Sequence, residues 1–142
     1  MTRNFVEKKL LEIGVPAGIQ GFMYIADAIM LMDKEKEEFC SNGKITWLYD
    51  MVAKKNFTSG SCVERSIRFA FETARKDESR HDIVEHYIRF DQTHNKHSLF
   101  MLYTVLKNEF VESVPQSQDQ YQIREFIVNL AEQCGLKIAV LN

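Results

Sequence analysis

Proline is scarce in this sequence, with two in 142 residues, Pro16 and Pro115. That leaves no proline-rich linker and no polyproline ligand. Cysteine is almost as rare: Cys40, Cys62 and Cys134 form no metal-type pair and leave an odd thiol. A disulfide scaffold and a zinc finger are thereby excluded, and the expected compartment is the reducing cytoplasm. The six glycines form no phosphate-cradling loop. No apolar run approaches a membrane span, since the longest-looking one, Ala28 to Met32, is far too short. The chain runs straight into an amphipathic pattern, so no secretory leader is expected. There is no internal repeat, no low-complexity tract and no alternating pattern that demands a sheet.

What is present is ordinary globular composition, 45% apolar and 27% charged, enough for one domain over 1–142 with its own core. The formal net charge of −2 lacks the strong basic excess of many nucleic-acid binders. Its distribution says more than its sum. From Lys44 to Lys76 the cations are Lys44, Lys54, Lys55, Arg65, Arg68, Arg75 and Lys76, opposed only by Asp50, Glu64 and Glu72. Acidic excess lies elsewhere, in 33–38 and 109–132. A basic face on an acidic body still attracts phosphate, because screening confines each patch to a Debye length of about 8 Å.

Periodicity points to an all-α compact bundle. Val6, Leu10 and Ile13 form a first stripe, with a start near Asn4 and a stop at Gly14. Phe22, Ile25, Ile29 and Met32 line a second helix over about 17–33. The charge run 34–38 reads as a solvated helix end or connector, and Ser41-Asn42-Gly43 as a loop. After a charged break at 77–80, Ile83, Val84, Tyr87 and Ile88 suggest a short helix. Leu99, Leu102, Tyr103, Leu106 and Phe110 suggest a longer one. Residues 113–120 read as a loop, and Ile123, Phe126, Ile127, Leu130 and Cys134 as a last helix, followed by an apolar tail over 136–141.

The central stretch is 44–76. Ile45, Leu48, Tyr49 and Val52 make one helical face, Asn56 to Gly60 a polar turn. Ser61-Cys62-Val63-Glu64 has the form of a capping box opening the next helix. In that helix Val63, Ile67, Ala70, Phe71 and Ala74 fall on one side. Glu64, Arg65, Arg68, Phe69, Glu72, Arg75 and Lys76 fall on the other and are expected to face outward. Helix, tight turn and a second helix with arginines on its free face describe a helix-turn-helix whose second helix fits a major groove.

Here the residues also carry a resemblance. Leu48-Tyr49, Ala53-Lys54-Lys55, Val63-Glu64-Arg65 and Ile67-Arg68 are similar to the C-terminal effector domain of the sporulation master response regulator, the stage-zero sporulation protein A family. Leu11-Glu12-Ile13-Gly14-Val15-Pro16-Ala17 and Ala28-Ile29-Met30 extend the match upstream, and a weaker echo falls at Pro115 and Glu125-Phe126-Ile127. The resemblance implies a helical bundle around a helix-turn-helix, here without the phospho-accepting receiver that the family's effector domain normally follows. It also implies duplex DNA as partner and a homodimer on paired sites. Two positions depart from the family: Cys62 stands where it usually carries an arginine, and Phe69 where it usually carries a histidine. The segment 77–113, an extra helical piece, resembles its counterpart little.

Candidate base-contacting residues are Glu64, Arg65, Arg68 and Phe69. An arginine fork on guanine O6 and N7 is worth about 1–3 kcal/mol of discrimination. Glu64 is a candidate acceptor from cytosine or an orienter of Arg65. Phe69 suits a thymine methyl, or equally packs under 77–113 or against a partner chain. Lys54, Lys55, Ser59 and Ser61 are candidates for phosphate contact, which positions without reading sequence. The plain alternative for all eight is a solvated face. Cys62 at a helix start near Arg65 is either a low-pKa thiol or a replaced surface residue. His81, His86, His94 and His97 lack metal-ligand spacing. No catalytic pattern, metal site or cofactor is expected. The expected function is a sequence-specific DNA-binding transcription regulator. The alternative is a protein-interaction module that keeps the fold, has lost DNA binding and modulates another regulator.

Overall fold

The computed structural model describes residues 1–35 and 45–113. Six α-helices and one 3₁₀ turn account for most of them, and no strand occurs among the described residues. The all-α expectation holds. The chain divides into two compact units, Met1–Asn108 and Glu109–Asn142. The architecture below is that of the first unit. The expected loop at 41–43, the loop after Ser113, the last helix and the apolar tail lie outside the described residues.

Helix α1 spans Arg3–Ile13 and buries Val6, Leu10 and Ile13, the stripe read from sequence. It starts earlier than expected. Thr2, in extended backbone, is the N-cap, and its hydroxyl accepts from the Phe5 N–H at 3.3 Å. Gly14 ends the helix with φ of 101°, a left-handed cap that favours glycine. Arg80 then reaches over this cap and donates from Nη1 to the Leu11 and Glu12 carbonyls at 3.1 and 2.7 Å. The Glu12 carbonyl thus gains a partner from a distant part of the chain, and the Leu11 carbonyl a second one beside the Gly14 N–H.

Helix α2 covers Gln20–Lys34 and buries Phe22, Ile25, Ile29 and Met32. Helix α3 covers Ile45–Lys55 and buries Leu48, Tyr49, Val52 and Ala53. Helix α4 covers Gly60–Lys76 and buries Val63, Ile67, Ala70, Phe71 and Ala74, all five of the residues expected to face inward. It is the hub of the domain, packed against both α2 and α3. Phe71 and Ile67 sit at its centre, almost fully removed from water. A side chain of that kind contributes about 1.5–3 kcal/mol by burial.

The charged break at 77–80 is the 3₁₀ turn Glu78–Arg80, with the Asp77 carboxylate accepting from the Ser79 N–H. Helix α5, His81–Tyr87, buries Val84 and Tyr87. Helix α6, Asn95–Ser113, buries Leu99, Leu102 and Leu106 at helical spacing. Residues 78–113 are thus helical over much of their length, and their apolar stripes join the same core.

Candidate nucleic-acid interface

The connection between α3 and α4 is four residues, Asn56 to Ser59. It closes through the Thr58 N–H on the Ala53 carbonyl at 3.0 Å, and Phe57 takes φ of 55° to make the bend. The expected capping box at 61–64 does not form. Ser59 is the N-cap, in extended backbone, and its Oγ accepts from the Cys62 N–H at 3.2 Å. The bend is complete one residue after Thr58, so the first serine beyond it takes the cap and Ser61 falls inside the first helical turn.

Along α4, Ser61, Arg65, Arg68, Phe69 and Glu72 form one exposed face. Phe69 is 56% exposed despite its apolar ring. Arg68 Nη1 donates to Glu64 Oε1 at 2.7 Å, an i,i+4 pair that lays the guanidinium along the helix. Glu64 is thus tied to Arg68 and not to Arg65, whose Nε donates to the Ser61 carbonyl at 3.4 Å. Arg65, Cys62 and Phe69 share an open hollow of about 460 Å³ with Ile19, Gln20 and Gly21 at the start of α2. The Cys62 thiol is pulled below its ordinary value by a hydrogen bond with Thr58, against an opposing effect of desolvation, with weaker help from Ser66 and from the charge of Arg65. Of the backbone candidates, Lys54 and Ser59 are exposed beside the turn.

Lys55 is placed differently from a freely solvated lysine. Its Nζ donates to Asp27 Oδ1 at 3.0 Å. Asp27 is a buried carboxylate of α2, and its other partners are Arg3 Nη1 and Asn56 Nδ2, the latter at 2.9 Å. Burial pushes the Asp27 carboxyl up, but hydrogen bonds from Asn56, Arg3 and Lys55 outweigh it and hold the group below the usual carboxylate value. The sequence reading missed this residue. The available signal was a lone acid inside the apolar run Tyr24 to Met32.

Arg75 is the clear correction on the outward face. It turns away from the other arginines and donates to the carbonyls of Arg89, Ile88 and Gln92 at 2.9, 3.1 and 3.0 Å and to Ser98 Oγ at 2.6 Å. The stretch 88–98 is therefore fastened to the C-terminal half of α4. At the other half, Asn95 Nδ2 donates to the Glu64 carbonyl at 2.9 Å. These attachments leave Arg65, Arg68 and Phe69 exposed. The histidines do not converge: His81 stacks on Phe90 at 4.3 Å, and His94 and His97 lie 6.3 Å apart. Among the described residues no group of His, Cys, Asp and Glu is arranged to hold a metal ion. No described helix is long and apolar enough to cross a membrane.

Helix, four-residue turn and arginine-bearing helix have the form of a helix-turn-helix. The family model of the sporulation initiation factor Spo0A C terminal matches residues 6–107, and the chain belongs to that family. The family is a DNA-binding effector domain of a transcription regulator, not an enzymatic one. The match runs well past the helix-turn-helix and takes in most of the 77–113 segment.

Proposed function

We propose that this chain is a sequence-specific transcription regulator that inserts α4 into the major groove. Arg65, Arg68 and Phe69 would face the base edges, and Glu64 would hold Arg68 in place. Lys54, Lys55, Ser59 and Ser61 would meet the phosphates on either side of the turn, with 44–76 and 77–113 acting as parts of one DNA-binding domain. The observation that carries this reading is the open face of α4: arginines and an aromatic ring stay exposed although α6 and the loop before it are bonded to the same helix. An interaction module with a buried recognition face would have that segment across Arg65 and Arg68. A single half-site gives limited affinity, so the domain would act as a dimer on paired sites.

Selection of duplexes from a random pool, followed by Arg65→Ala and Arg68→Ala, tests the assignment. Each substitution should relax preference at one base position and cost about 1–3 kcal/mol there. Unchanged discrimination by both variants would remove α4 from the groove. Failure to enrich any motif, with a protein captured instead, would favour the interaction module.

A further inference from the structure

Asp27 joins three parts of the domain on one side chain. Arg3 comes from α1, Lys55 from the last residue of α3, and Asn56 from the turn, while the carboxylate itself sits on α2 with its side chain 3% exposed. Asn56 Nδ2 is shared with the Val52 carbonyl at 2.9 Å, which fixes the exit of α3 as well. Lys55 differs from its two companions, because its side chain is 64% exposed although its ammonium touches a buried group. An ammonium carries three donors, and one on Asp27 leaves the others for solvent or a ligand.

We infer that Asp27 is a positioning residue for duplex binding, presenting the Lys55 ammonium to a backbone phosphate and fixing the turn from which α4 starts. This rests on the function proposed above. A free lysine must give up rotamer freedom when it meets a phosphate, and Lys55 has already given up much of it. The same carboxylate sets the height of the turn through Asn56, so phosphate contact and helix placement are fixed together. A carboxylate next to a phosphate-binding lysine would by itself repel DNA. Here it is deeply buried, and Arg3, which pairs with the same oxygen as Lys55, offsets its charge.

The test is the slope of log K against log salt, read by fluorescence anisotropy on a duplex for wild type, Lys54→Gln, Lys55→Gln, Asp27→Asn and Asp27→Asn with Lys55→Gln. Circular dichroism establishes that each is folded at the temperature used. One lost phosphate contact lowers the slope by about 0.9. Asp27→Asn should lower it by about as much as Lys55→Gln, and the double variant no further. A purely structural Asp27 would lower the melting temperature and leave the slope alone. If Asp27→Asn does not fold, Arg3→Gln with Asp27→Asn, which removes a cation facing the lost charge, carries the same comparison.

An unchanged or steeper slope in the Asp27 variant, with Lys54→Gln and Lys55→Gln each lowering it, overturns the positioning role alone. A flat salt response in the wild type overturns the DNA reading and this inference together.

Discussion

The carbonyl oxygen of Ser66 occupies the space above Gly21 so closely that a β-carbon built on Gly21 would lie 2.3 Å from it. The Ala70 β-carbon would be 2.7 Å away. Backbone of α4 thus rests directly on α2, which sets how far the exposed arginine face stands from the body of the domain. Gly21→Ala must push the two helices apart, at a cost of about 1–3 kcal/mol or more. Urea unfolding reads this directly. Gly18→Ala is the control, since a β-carbon there meets nothing within 4 Å, and its midpoint should hold or rise.

Arg75→Met should be more damaging than an exposed arginine would suggest. The methionine keeps the stem but leaves three carbonyls and the Ser98 hydroxyl without their donor. A loss of about 2–3 kcal/mol is expected, with faster amide exchange across 88–98 as a local signature. Arg75→Lys should recover little, because an ammonium lacks the planar fork that spans these acceptors.

Much of the fold was legible because helical periodicity is a local signal. The inward residues of α4 and the stripes of α1, α2 and α6 follow from spacing alone. The cap of α4 was misread because Thr58, Ser59 and Ser61 are all able caps, and the choice among them is made by the bend at Phe57. Arg75 was read as outward because its partners lie 13 to 23 residues away in sequence, beyond any helical pattern. Asp27 was missed for a similar reason: its three donors come from α1, α3 and the turn. The arginine pair of the candidate site was legible from motif and face together, whereas the coupling of Lys55 to Asp27 required the fold.

Phe57 stores strain without compensating burial. It is 98% exposed and holds φ of 55°, a region costly for a bulky side chain. Phe57→Asn keeps the bend with a residue suited to it and forfeits almost no packing. It should stabilise the domain by about 0.5–1 kcal/mol in thermal or urea unfolding. A loss of stability would mean that the ring has a packing role.

Asp27 also predicts the acid limb of stability. Its folded-state carboxyl titrates below the ordinary value, so around the ordinary value the unfolded chain binds more protons than the folded one. The stability it contributes is fully present above the unfolded value, about 3.9. It is lost as pH falls through the lower folded value. Urea midpoints between about pH 5 and pH 2 should therefore drop less steeply in Asp27→Asn than in the wild type. An equal slope would show that other carboxylates govern acid unfolding.

The most direct measurement is fluorescence anisotropy of the purified protein on a random duplex and on a duplex recovered by selection, at several salt concentrations. The account predicts salt-sensitive binding to both. It also predicts about 10³-fold or greater preference for the selected sequence, lost at one base position in Arg65→Ala. Equal affinity for both duplexes, or no binding at low salt, would contradict it.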